Sequence, residues 1–137
     1  MSDEARPLWD RGEPLDAVVE RFTVGRDPEL DLRLLPFDAL GSAAHAVMLA
    51  QIGVLEPGER DDLLRELGGL ARQARQGQLT IARREEDCHT AIENRLTEAL
   101  GDVGRRIHTG RSRNDQVIAA LRLWGREQVL ALTGALL

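Results

Sequence analysis

Four arginines, Arg105, Arg106, Arg111 and Arg113, fall within nine residues of a chain whose net charge is −5. His108 lies among them, and Gly104 and Gly110 give the backbone freedom to curl around a ligand. Thr109, Ser112, Asn114 and Gln116 add short hydrogen-bonding groups. Guanidinium forks bind carboxylates bidentately, and the free N–H groups of a following helix start favour an anion. Such parts would make a site for a di- or tricarboxylate. The plainer reading is a surface loop in which Ser112 or Asn114 caps the next helix and Arg105 and Arg106 are solvated.

The elements around this segment read as helices. Proline at 14 suits a first helical turn, and Leu15, Val18, Val19 and Phe22 would face inward. Residues 1–13 read as an irregular arm with Trp9 as an anchor, and Leu30, Leu32 and Leu34 as an extended linker. A helix is predicted from about Phe37 to Gln51, apolar at Leu40, Ala43, Ala44, Val47 and Met48 and ended by Gly53. The next opens at Glu56-Pro57-Gly58-Glu59 and carries Leu63, Leu64, Leu67, Leu70, Ala71 and Ala74 on one stripe as far as Gly77. Glu85, Glu86 and Asp87 place negative charge at the start of a third, which buries Ile92, Leu96 and Ala99 and closes at Gly101.

Residues 102–114 then form a polar loop, and a last helix starts near Asp115. Its apolar positions, from Val117 and Ile118 to Leu132 and Leu136, cover more than one face, and no stop signal follows Leu137. It is expected to pack against partner subunits and to be the start of a longer helix. The expected division is residues 1–114 as a helical domain with an anion-binding loop at 102–114, and residues 115–137 as the beginning of a bundle helix.

Composition agrees with an all-α fold. The chain has 42% hydrophobic residues but 3% aromatic ones and no tyrosine, so Leu, Ala, Val and Ile must build the core. All 18 basic residues are arginine, which excludes lysine chemistry in this stretch. The negative net charge argues against a general nucleic-acid binder. Arg122, Arg126 and Glu127 interrupt the most apolar segment, so no membrane partner is expected. The single cysteine, Cys88, and the polar amino terminus suit a cytoplasmic protein.

The run His108-Thr109-Gly110-Arg111-Ser112-Arg113-Asn114-Asp115-Gln116 resembles the first signature segment of the argininosuccinate lyases, a branch of the fumarase/aspartase superfamily. Leu8-Trp9, the pattern Asp38, Gly41-Ser42, Ala44-His45, and Glu86-Asp87-Cys88-His89 with Glu93 resemble further family segments. The likeness runs from about Leu8 to Leu137. It departs at Trp9-Asp10-Arg11-Gly12, and between Phe22 and Asp31, where the family's arm serine is missing and Thr23 or the backbone near Gly25 would have to replace it. Full-length members are several times longer, and their two later signature segments are absent here.

The resemblance implies the all-α fold of that superfamily, with its amino-terminal helical domain running into a central-bundle helix. It implies cleavage of argininosuccinate to arginine and fumarate by anti elimination, with no cofactor and no metal. It also implies a homotetramer of identical subunits whose active sites each draw on three chains. Arg113 and Asn114 are then the foremost substrate-binding residues, with Thr109, Ser112 and Gln116 nearby. Arg111 either binds substrate or braces the loop. His89 has a substrate-contact or supporting role, with Asp87 orienting its ring and His108 supporting the segment. His45 reads as a packing histidine and Cys88 as a small buried residue.

No catalytic base is assigned to this stretch, which alone should be nearly inactive. Asp87, His89, Glu93 and His108 could be considered as metal ligands, but they lack a second close-spaced pair, and an i,i+4 contact accounts for His89 with Glu93. The competing functions are another fumarate-releasing lyase of the superfamily, or a non-catalytic helical oligomerisation module.

Overall fold

The computed structural model describes residues 17–137, and among these the secondary structure is entirely helical. Seven α-helices follow in order: α1 (Ala17–Val24), α2 (Asp27–Asp31), α3 (Leu35–Gln51), α4 (Pro57–Arg75), α5 (Cys88–Leu100), α6 (Asp102–Arg105) and α7 (Arg113–Leu136). Single 3-10 turns occupy Arg83–Glu85 and Arg106–His108. The expected arm and the helix start at Pro14 and Leu15 lie outside the described residues.

α3 and α4 pack as a helical hairpin, α5 lies against both, α6 folds back on α5, and α7 packs along α3. The core between them is aliphatic: Leu35, Leu49, Leu63, Leu67 and Leu96 are all at or below 1% exposure. Burying each such side chain stabilises by about 1.5–3 kcal/mol. α4 begins with Pro57 in its first turn and a reciprocal capping box, in which Glu59 accepts from the Glu56 N–H at 2.9 Å. Two carboxylates hold the amino end of α5. Asp87 accepts from Thr90 N–H at 2.7 Å, and Asp31 accepts from Cys88 N–H at 3.0 Å. Gly53, Gly77 and Gly101 all have positive φ at helix ends, as their type predicts.

Several expectations fail in instructive ways. Val18, Val19 and Phe22 do not face inward; Phe22 is 89% exposed, and among the described side chains of α1 Val24 is the buried one. The segment carrying Leu30, Leu32 and Leu34 is no extended linker but α2 with a following turn, started by Asp27-Pro28 and its acidic first turn. α3 buries Leu35, Ala39, Ser42, Ala46 and Leu49, whereas Leu40 is 57% exposed and Val47 and Met48 are also out. That helix is apolar on most sides, so spacing alone does not choose its inner face. Ala99 of α5 is likewise exposed.

The 102–114 stretch is not one loop. Ile107 is buried as an anchor and Gly104 is buried against α5, so the chain closes into α6 and a 3-10 turn and leaves only 109–112 irregular. α7 begins at Arg113, two residues earlier than expected, because Ser112 caps it; the Ser112 Oγ accepts from Asn114 N–H at 3.3 Å. No helix among the described residues is long and apolar enough to cross a membrane.

Candidate functional site

The signature segment meets α3 and α5 through two groups of polar side chains. The first is buried and centres on Asp38, which has no exposed surface. Its Oδ2 accepts from His89 Nδ1 at 2.9 Å and from Gln116 Nε2 at 3.0 Å. Its Oδ1 makes no hydrogen bond, and the Arg111 guanidinium stands 3.9 Å from it. Arg111 NH1 donates to Ser42 Oγ at 2.9 Å, one turn along α3 from Asp38. Charge-assisted bonds of this kind are what allow a carboxylate to remain buried.

The second group is half-exposed. Glu93 Oε2 lies 3.1 Å from His108 Nε2 and 4.0 Å from Arg113 NH2, while Asp87 Oδ1 lies 3.9 Å from Arg113 NH1. The hydrogen bond from His108 holds the Glu93 carboxyl below its ordinary value, against the opposing effect of burial. Among the described residues Arg113 makes only these long contacts, and it remains 38% exposed at the first position of α7. Beside it Thr109, Ser112 and Asn114 are exposed. Arg113, Ser112 and Asn114 thus stand at the amino end of a long helix, with exposed Thr109 in the turn before it, residue types suited to a carboxylate.

The other arginines are committed elsewhere. Arg106 is not simply solvated, because it ion-pairs with Glu59 and donates to the Val54 carbonyl at 3.1 Å, tying the segment to α4. Arg105 reaches only Asp102 and stays on the surface. Arg111 is turned inward, toward Ser42 and the buried Asp38. Gln116, expected among the substrate contacts, is 2% exposed with its amide nitrogen on Asp38.

Asp87 does not orient the His89 ring as expected; it caps α5, and Asp38 from α3 holds the ring instead. Sequence reasoning passed over Asp38 as a site residue. The usable signal was a lone aspartate on an otherwise apolar helix, four residues before a serine. Nor do His89 and Glu93 pair with each other; Glu93 turns to His108. His45 is more than a packing residue, since its Nε2 lies 3.1 Å from the Thr109 carbonyl, which it bonds as donor.

Cys88 is buried as expected, and burial pushes its thiol far up, so it supplies no nucleophile. Asp38, Cys88 and His89 bring possible ligand atoms within 4.8 Å of one another. The histidine nitrogen of this group already bonds the Asp38 carboxylate.

Comparison with known proteins places the chain in a family. Residues 11–136 match a family model described as lyase. The argininosuccinate lyase of Phocaeicola vulgatus is 46% identical over 125 residues, covering 91% of this chain and 28% of the relative. That of Bacteroides thetaiotaomicron is 45% identical over 131 residues, covering 96% and 29%. That of Stenotrophomonas maltophilia is 48% identical over 126 residues, covering 91% and 29%. The chain thus spans less than a third of the length of these curated relatives. With its capped signature segment, its all-helical frame and a match running over residues 11–136, the chain belongs to the lyase family.

Proposed function

We propose that this chain forms one substrate-binding wall of an argininosuccinate lyase, the enzyme that splits argininosuccinate into arginine and fumarate. The observation that carries the reading is Arg113. It is the arginine of the signature segment left half-exposed and loosely held, 3.9 Å and 4.0 Å from the nearest carboxylates, beside exposed Asn114, Ser112 and Thr109. In an anti elimination, removal of a proton beside a carboxylate builds negative charge on its oxygens. Arg113 would fork that carboxylate, while Asn114 and the hydroxyls of Ser112 and Thr109 donate to it. Preformed donors cost no reorganisation as the charge develops. Arg111, Gln116 and His89 hold this wall in place from behind, and Asp87 with Glu93, itself bonded to His108, keeps Arg113 aimed.

No residue of this wall is assigned as the base, which would come from other parts of the enzyme. The apolar residues exposed along α7, Ile118, Leu121, Val129, Leu132 and Leu136, support assembly with identical subunits into a tetramer. Net charge −5 favours a small-molecule substrate over nucleic acid, and the buried free thiol fits a cytoplasmic setting.

The test is a chimera in which residues 11–136 replace the matching segment of the Stenotrophomonas maltophilia relative. The expected result is an assembled enzyme that releases fumarate from argininosuccinate and not from adenylosuccinate. An assembled chimera that prefers adenylosuccinate, or turns over neither, contradicts the reading.

A further inference from the structure

Asp38 joins three segments that are far apart in sequence. Its carboxylate meets His89 from the first turn of α5, Gln116 from the first turn of α7, and Arg111 from the turn between α6 and α7. A carboxylate only accepts hydrogen bonds, so the His89 proton facing it must sit on Nδ1, which in a neutral ring leaves the lone pair on Nε2. Gln116 must likewise turn its NH2 group, not its oxygen, toward α3. Arg111, bonded to Ser42 and facing Asp38, fixes the backbone two residues before Arg113.

We propose that Asp38 is a positioning residue of the substrate site. It sets the tautomer of His89 and keys the start of α7, with Arg113 and Asn114, into register against α3. Asp38 touches no substrate itself. The positioning rests on the geometry above, and only the identity of the substrate rests on the lyase reading.

Imidazole nitrogen-15 spectra of the intact chain test it, with His89 assigned among the three histidines by the loss of its signals in His89→Gln. The wild-type ring should show its proton on Nδ1. Asp38→Leu keeps the approximate shape and removes both acceptor oxygens, so the ratio of the two tautomers should shift about tenfold or more toward Nε2–H. Gln116→Ala keeps the carboxylate and should leave the proton on Nδ1. A wild-type His89 protonated on Nε2 alone, a folded Asp38→Leu with an unchanged ratio, or loss of the Nδ1 proton in Gln116→Ala would each overturn the proposal.

In the chimeric lyase, Asp38→Leu should lower kcat/KM about 10- to 100-fold, the range seen when the hydrogen-bonded partner of a metal-bound histidine is removed. An unchanged kcat/KM there would also overturn it. A chimera inactive even with Asp38 bears on the lyase reading, while the spectra still decide the role of Asp38.

Discussion

A Cβ placed on Gly104 would lie 2.3 Å from both the carbonyl carbon and the carbonyl oxygen of Leu96. α6 therefore rests directly on the backbone of α5, and backbone cannot swing aside as a side chain can. Gly104→Ala should destabilise the chain by about 1–3 kcal/mol through overpacking. Urea unfolding measures it, and a midpoint equal to wild type would show that the two helices are not held at this contact.

Arg111 and Arg113 differ in what their loss should do. Arg111 has little exposed side chain and faces the buried Asp38, so Arg111→Ala leaves an uncompensated charge and should cost about 3 kcal/mol of stability. Arg113→Ala removes a half-exposed group with long contacts and should stay within about 1 kcal/mol of wild type. Equal stability losses in the two variants, measured side by side by chemical denaturation, would remove the distinction between brace and binder.

The Glu93–His108 pair predicts a pH dependence. The hydrogen bond from His108 depresses the Glu93 carboxyl below 4.5, so its contribution to stability is present above 4.5 and is lost as pH falls through the lower folded value. His108→Ala lets burial act unopposed by that bond and should flatten this part of the acid limb. Unfolding curves taken from about pH 7 down to about pH 3 compare the slopes. Identical slopes in the two proteins would rule out the coupling.

Asp87 is assigned to the cap of α5 and not to His89. Asp87→Ala should cost about 1 kcal/mol, whereas Asp87→Asn, an equally good capping residue, should cost little. The His89 Nδ1 signal should be the same in both variants. Its disappearance would return Asp87 to the role that its place two residues before the histidine first suggested.

The helices, their proline starts and their glycine ends were legible because these signals are local. Pro57, Asp87, Gly53 and Gly101 each act on the backbone within a turn of themselves. The inner face of α3 was not legible, because Leu40, Val47 and Met48 are as apolar as Leu35, Ala39 and Leu49, and only the position of α4 decides between them. Residues 106–108 hid their helical turn, because one anchor, Ile107, carries it without any periodic pattern.

Within the site, residue order identified the signature segment but not which arginine turns inward. That choice is made by Asp38 and Ser42, placed 73 and 69 residues earlier in the chain. A partner at that sequence distance leaves no mark in the segment itself.

Fumarate release by the chimeric enzyme carrying Arg113→Ala tests the central claim most directly. The prediction is an assembled enzyme of near wild-type stability whose turnover falls about 100-fold or more, as when one oxyanion donor is removed from a preorganised site. Turnover within a few-fold of the parent chimera would contradict the assignment of this wall to substrate binding.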